Sequence, residues 1–459
     1  MNSPRPRPGL ALRVLALLLL PAWAGFAAPP PAPVAADRPP NIIYILADDL
    51  GIGNVGCYGA DRFRTPNIDR LAKGGMRFEH CYASPLCGPS RAMLLTGRYA
   101  FRTGMTGNDS GPLVQPDHEI MMPRVLKPAG YVTAQIGKWN QLDLQPGDWG
   151  FDEYLRFKGS GDYWNTQDRA RTYRLNSQEK RLKDGEYLPD KMHAFLVDFL
   201  ERHQAQPFYV YYAMSHIHAD ILPTPDSPPH SPDLFADNIT YMDKLVGQLV
   251  AELERLKLRE NTLLVFAGDN GTVPVETPRS TVGGRVLSGA KGNMRECGSL
   301  VPLIVNWPGR TPAGTVATNL VDFTDFFPTL AEVAGAPLPA GVTIDGQSFA
   351  ARLQGRPGPA RDWVFVELGR HWYARNAGWK LNEAGELFNM SDAPFAEPLV
   401  AGEISGTAFQ ARTQLQAVLD RLNPAGGKVD PGDGSGKHAN RVNKKAAKKA
   451  KSTADNEAQ

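Results

Sequence analysis

Four short apolar runs, each ending abruptly in polar residues, constrain the fold of this chain most tightly. Residues 41–47 run into Asp48-Asp49, 131–136 into Gly137-Lys138, 208–214 into Ser215-His216-Ile217-His218, and 263–267 into Asp269-Asn270. The first run is short and apolar from Ile42 to Ala47, which predicts a strand buried on both faces, and the other three are similar. Between and after them, 190–203, 236–258 and 322–335 carry apolar residues at helical spacing. Asp190 stands where it can cap the first of these helices, and Gly335 where it can end the third. The alternation predicts an α/β fold, a large doubly wound mixed sheet with helices on both faces. Such sheets bind ligands just beyond the carboxyl ends of their strands. The four runs would then deliver carboxylates, a lysine, histidines and an amide to one edge.

After about residue 345 the pattern changes. Segments 363–368, 379–381 and 386–389 read as short strands with turn signals between them, and 409–422 as a covering helix. The division that follows is a catalytic α/β domain over 41–345 and a smaller C-terminal α+β domain with a short antiparallel sheet over 346–423. Residues 424–459 are rich in Gly, Asp and Lys without apolar spacing, which predicts a disordered basic tail.

The other end reads as a leader. Arg5, Arg7 and Arg13 precede an apolar run at 14–20 and the small residues Ala22, Ala24, Ala27 and Ala28. This predicts a secretory signal over 1–28, too short for a stable membrane span, followed by a Pro-rich linker over 29–40. The protein is thus expected to be exported, to the periplasm or the medium. Its four cysteines, Cys57, Cys81, Cys87 and Cys297, are too few for a disulfide framework. A net charge of +2 gives no ground for a nucleic-acid partner.

Chemistry concentrates in residues 87–91, Cys-Gly-Pro-Ser-Arg, which follow an extended-looking 78–82 and precede a helical 92–98. A thiol there sits at a helix N-terminus, where backbone N–H groups and the helix dipole favour an anion. Asp48, Asp49, Asp269 and Asn270 offer only oxygen, which suits a hard cation such as calcium or magnesium. Alone, Asp48-Asp49 would read as a turn or a cap. A second strand ending Gly268-Asp269-Asn270-Gly271 makes a shared metal site the better reading.

Cys-x-Pro-Ser-Arg followed by Leu-Thr-Gly-Arg resembles the signature of the type I, formylglycine-dependent sulfatases of the alkaline phosphatase superfamily. Further motifs in the family's order extend the likeness from Pro40 to about residue 423: Gly150-Phe151-Asp152, Tyr241-Met242-Asp243, and Gly385-Glu386-Leu387-Phe388-Asn389. The resemblance implies that a maturation enzyme oxidises Cys87 to Cα-formylglycine, whose hydrate attacks the sulfur of a sulfate ester. It implies one divalent ion, usually calcium, held by Asp48, Asp49, Asp269 and Asn270 beside position 87. Arg91 would steady the hydrate, Lys138 and Lys291 would bind sulfate oxygens, and His218 would protonate the leaving oxygen. Where many sulfatases carry a histidine after Gly-Lys-Trp, this chain has Asn140, so His216 is the proposed replacement base. The expected substrate is a sulfated small molecule or glycan, and the segment 158–183, with its aromatic and arginine residues, is either a sugar-contacting loop or a packed surface loop. Two other readings remain open: a phosphate or phosphonate monoester hydrolase on the same sheet, and an inactive glycan-binding homologue.

Overall fold

The computed structural model describes Met1 and residues 38–428, apart from 140, 141, 143, 158, 162, 166–170 and 219. The expected leader, nearly all of the linker and the Lys-rich end lie outside the described residues, as does Asn140. In chain order the strands are β1 (Asn41–Ala47), β2 (Met76–Tyr82), β3 (Val132–Lys138), β4 (Glu153–Phe157), β5 (Thr172–Leu175) and β6 (Gln178–Arg181). There follow β7 (Phe208–Ala213), β8 (Thr262–Gly268), the small hairpin β9 (Thr281–Val282) and β10 (Arg285–Val286), β11 (Leu300–Asn306) and β12 (Thr315–Asp322). The last four are β13 (Val364–Leu368), β14 (His371–Arg375), β15 (Trp379–Asn382) and β16 (Leu387–Asn389).

The ten-stranded main sheet runs β12-β2-β11-β8-β1-β7-β3-β4-β5-β6. β1 pairs in parallel with both β7 and β8, and β3 continues the parallel set between β7 and β4. β11 enters antiparallel between β8 and β2, which makes the sheet mixed. Register decides where the chemistry falls. Ala47 stands opposite Gly268, and Ala213 opposite both Leu46 and Gly137, so four strands stop level at one edge.

β1 shows why a continuous apolar run is needed. Ile42, Tyr44 and Leu46 enter one core, while Ile43, Ile45 and Ala47 enter the other. The second core is covered by helices Pro66–Lys73, Leu188–Arg202 and Leu234–Arg255, the first by Cys87–Thr96 and Phe326–Val333. Asp233 caps the longest of these, its Oδ1 accepting from Ala236 N at 3.0 Å. Asp190 is not the cap the sequence suggests. Its helix starts two residues earlier, and Asp190 in the first turn accepts from the Tyr241 hydroxyl at 2.6 Å. Part of segment 158–183 is also not a loop: β5 and β6 form a hairpin that extends the main sheet. The edge strand β6 reads Gln-Glu-Lys-Arg and is exposed throughout, a charged sheet margin that discourages further strand pairing.

β13–β16 form the expected small antiparallel sheet, with β14 as a strand not read from the sequence. Helix Gly406–Leu422 packs on one of its faces, and both sheets belong to the compact unit that begins at Pro39. Glu367 on β13 is an oddity within this join. It is 4% exposed, its Oε2 accepts from Phe101 N at 2.9 Å, and burial pushes its carboxyl up to about 8. The folded protein therefore holds a proton that the unfolded chain releases near the ordinary value of 4.5. That stabilisation is complete below the ordinary value and is lost as pH rises through about 8. Glu367→Gln keeps the acceptor for Phe101 and removes the ionisation. Its melting temperature is expected to exceed the parent's above about pH 8, by on the order of a few kcal/mol in stability, and to converge with it near pH 5. Parallel melting curves across that range would show that Glu367 does not carry the buried proton.

Candidate active site

Helix Cys87–Thr96 begins at the level edge of the sheet, and all its residues are buried. Its first turn is tied down locally, since the Ser90 hydroxyl lies 2.9 Å from both the Ser84 and Leu86 carbonyl oxygens. Gly88 N donates to Asn108 Oδ1 at 2.8 Å, and the same oxygen lies 3.7 Å from Cys87 Sγ. Cys87 thus sits at a helix N-terminus, and Lys138 Nζ approaches its sulfur to 3.4 Å. None of the four cysteines forms a disulfide.

Glycines explain how neighbouring strands deliver their side chains. Gly137 has φ 103°, and a Cβ there would stand 2.0 Å from the Ala213 carbonyl oxygen. Only glycine lets β3 turn Lys138 inward at this point. A Cβ on Gly271 would meet the Cys297 carbonyl oxygen at 1.9 Å, so the turn after Asp269-Asn270 has the same requirement. Asp49 has a left-handed backbone, φ 60°, at a cost of about 1–2 kcal/mol for a residue with a Cβ. That conformation accompanies an N–H bond from Asp49 to Asp269 Oδ1, at 3.0 Å.

The ions interlock. Lys138 Nζ donates to both oxygens of Asp48, at 2.8 and 2.7 Å. Arg91 donates from Nε and Nη2 to Asp269 Oδ2, at 3.1 and 2.7 Å, and its Nη2 also lies 3.4 Å from Asp48 Oδ1. Lys291 Nζ donates to Asp49 Oδ2 at 2.8 Å and stands 3.0 Å from His218 Nε2, which is itself 3.6 Å from that carboxylate oxygen. Burial alone would depress Lys138 and Lys291, but Asp48 and Cys87 around the first, and Asp49, Cys87 and Asp48 around the second, raise both above the usual lysine value. Burial likewise pushes Asp48 up, yet Lys138, His218 and Arg91 hold it below the usual carboxylate range. Asp269 goes the other way: burial and the neighbouring Asp48 raise it despite Arg91.

A hard cation fits these donors. Ligand atoms of Asp48, Cys87 and Asp269 all lie within 4.8 Å of one another, and the three residues are buried. Asn270 Nδ2 is committed to Asp49 Oδ1 and to Gly271 O, both at 2.9 Å, while its buried Oδ1 has no hydrogen-bond partner. An acceptor left so costs about 1–3 kcal/mol, and coordination of an ion would remove that cost. Asp48, Asp49, Asp269 and Asn270 could hold the ion with an oxygen at position 87, all four being fully buried.

The structure therefore brings together Cys87, Arg91, Lys138, His218, Lys291 and the four oxygen donors. His216 is not brought into contact with them through its side chain. It is fully buried, its ring stacks on Tyr163 at 5.3 Å, and its Nε2 lies 2.9 Å from the Tyr187 hydroxyl. Burial lowers its pKa to about 3, so it is neutral at ordinary pH. Only its backbone serves the site, its carbonyl accepting from Asp48 N at 2.7 Å. The sequence expectation that His216 and His218 share a face assumed an extended segment, whereas the chain turns at 216–217. Two contributors escaped the sequence reading. Asn108 comes from a loop that carries no strand or helix signal. Tyr211, whose hydroxyl lies 3.4 Å from Arg91 Nη1, reads as one more apolar position in β7.

Comparison with known proteins agrees with this geometry. A family model described as Sulfatase matches residues 40–336. The chain is 30% identical to Arylsulfatase D of Homo sapiens, over 80% of this chain and 77% of that protein. It is 35% identical to N-acetylgalactosamine-6-sulfatase of Canis lupus familiaris, over 74% and 70% of the two chains. Among solved structures, Ps i-CgsB in complex with k-i-k-neocarrahexaose superposes with a TM-score of 0.74 at 27% identity, covering 88% of this chain and 97% of that one.

Proposed function

The chain belongs to the sulfatase family and is a sulfuric ester hydrolase; from that premise we propose that it releases sulfate from a sulfated carbohydrate, using Cα-formylglycine made from Cys87 and one divalent ion, calcium or magnesium. The observation that carries this reading is the buried convergence of Cys87 with Asp48, Asp269 and Lys138 at a helix N-terminus. Carbohydrate is favoured because one similar enzyme is named for N-acetylgalactosamine-6-sulfate and a similar structure holds neocarrahexaose.

Charge balance supports an anionic substrate. Arg91, Lys138 and Lys291 offset Asp48, Asp49 and Asp269 one for one. A divalent ion would tip the cluster positive and help neutralise the sulfate oxygens. The formylglycine hydrate would supply a nucleophile whose second hydroxyl allows sulfate to be expelled by elimination. Lys138, at the thiol and at Asp48, is placed to hold charge on the attacking group and on a sulfate oxygen. Arg91 fixes Asp269 and Asp48, and through them the donors around position 87. Lys291 bridges Asp49 and His218, and so orients the imidazole at the more open side of the site, where His218 is 21% exposed. His218 is our assignment for the acid that protonates the leaving alkoxide. The 1–28 leader supports export before use, and no helix among the described residues is long and apolar enough to cross a membrane.

Mature protein should cleave para-nitrophenyl sulfate far faster than para-nitrophenyl phosphate; the reverse order would favour the phosphoesterase reading. His218→Ala is expected to slow hydrolysis of an alkyl or sugar sulfate by about 10²–10⁴, with a much smaller loss on the nitrophenyl ester. Nitrophenolate leaves without a proton, whereas a sugar alkoxide does not. Equal losses on both esters would reduce His218 to a binding residue.

A further inference from the structure

A cavity of about 660 Å3 opens between the small sheet and the loop that carries Lys291. That volume lies in the range of about 300–1,000 Å3 typical of ligand pockets. Two connections tie its walls to segments that build the reactive centre. Asn293 and Arg295, on one wall, follow Lys291 within four residues. His371, on the other, opens β14 just after Gly369, whose N–H donates to the Thr106 carbonyl at 2.9 Å. Thr106 lies two residues before Asn108, the partner of Gly88 N.

The lining has an internal logic. Deep in the cavity, Lys380 is ion-paired with Glu397 and lies over the Tyr373 and Phe388 rings, 5.0 and 4.8 Å from their centroids. Glu397 also accepts from the Ser288 hydroxyl at 2.8 Å. These groups satisfy one another and leave a polar floor beside aromatic rings. Nearer the mouth, His371 Nδ1 is held by Glu383 Oε1 at 2.5 Å, with the side chain 68% exposed. Exposed Arg295 makes no ion pair among the described residues.

We propose that this cavity binds a second sugar ring of the substrate, one bearing its own sulfate or carboxylate. The proposal rests on the carbohydrate reading above and sharpens it to an oligosaccharide with more than one anionic group. Arg295 supplies the fork that matches a sulfate or carboxylate. His371 and Asn293 offer hydrogen bonds to hydroxyls, and the Phe388 and Phe395 rings offer apolar surface. A sterol or a simple aryl group would desolvate the polar walls without pairing them, at a cost that a hydroxyl-rich ligand avoids.

The test uses the full chain carrying Cys87→Ala, so that no ester is consumed, with calorimetric titration of three probes. These are para-nitrophenyl sulfate and sulfated tetrasaccharides prepared from carrageenan and from chondroitin sulfate. At least one tetrasaccharide should bind about tenfold or more tighter than the aryl ester. Adding Arg295→Gln or His371→Ala should erase that margin and leave aryl sulfate binding unchanged; both residues are exposed, so folding is not at stake. The proposal is overturned if neither tetrasaccharide gains over the aryl ester, or if the variants bind all probes as the Cys87→Ala parent does. It is equally overturned if the variants weaken all probes alike. Sulfate release by the mature parent protein is scored separately: a preserved binding margin without any release would sink the catalytic reading and leave the sugar site standing.

Discussion

Cys87→Ala should lose sulfate release by about 10⁴-fold or more while melting within a few degrees of the parent. The two halves of that result have different physical sources. Activity collapses because no other side chain at the site can supply the attacking oxygen: the carboxylates of Asp48, Asp269 and Asp49 are tied to Lys138, Arg91 and Lys291. Stability survives because the bonds that hold the neighbouring side chains do not run through the sulfur. Lys138 keeps its two bonds to Asp48, and Asn108 keeps the Gly88 N–H. What remains is loss of one small buried atom, about 1 kcal/mol. The same comparison tests the modification. Protein matured in its own host should yield a peptide over 78–102 lighter than the encoded one by the difference between a sulfur with two hydrogens and an oxygen. It should react with a hydrazide probe, and the alanine variant should not. A parent protein with an intact thiol and full turnover would refute the formylglycine assignment.

Much of this site was legible because strand ends are legible. A doubly buried strand must be largely apolar until it leaves the core, so Asp48, Lys138 and Asp269 announce themselves as the first charged residues after their runs, and His218 lies among the polar residues that follow the fourth. Register then does the rest, since β1, β3, β7 and β8 stop level. His216 obeyed the same surface pattern and still went elsewhere, because one turn at 216–217 sends its ring into the aromatic group of Tyr163 and Tyr187 while His218 meets Lys291. A turn of that kind leaves no periodic trace. Asn108 was invisible for a related reason: its loop is positioned by long-range contacts, and a polar residue in a loop is the commonest thing in any sequence. β14 was missed because, at five residues with His371 at its start and Arg375 at its end, it lacks a run long enough to distinguish it from a turn. Glu367 shows the converse failure. A carboxylate within 364–368 argues for a solvated strand face, yet the join between the sheets buries it.

Removal of divalent ions should abolish turnover, with calcium or magnesium restoring it, and the choice of variant decides whether the ion or the fold is being read. Asp269→Ala would be a poor reporter. It deletes a proposed ligand and also strips buried Arg91 of its closest carboxylate, which costs about 3–5 kcal/mol in stability before any ion is considered. Asn270→Ala is the cleaner change, because it strands no buried charge: the Oδ1 it removes has no hydrogen-bond partner, and the Nδ2 gives up its bonds to Asp49 and Gly271. Ion-free Asn270→Ala should therefore melt below the ion-free parent by about 1–3 kcal/mol, and each protein is compared with its own ion-free form. The parent, given an ion at about 100 times its dissociation constant, should gain about 2.7 kcal/mol, a rise of a few degrees. Asn270→Ala should need about tenfold or more ion for the same rise and for half-maximal activity. Restoration by calcium after a calcium-selective chelator, but not by magnesium, would identify the ion. A melting temperature indifferent to chelator and ion in the parent would mean that Asp48, Asp49, Asp269 and Asn270 are held together by Arg91, Lys138 and Lys291 alone, and the metal would drop out of the mechanism.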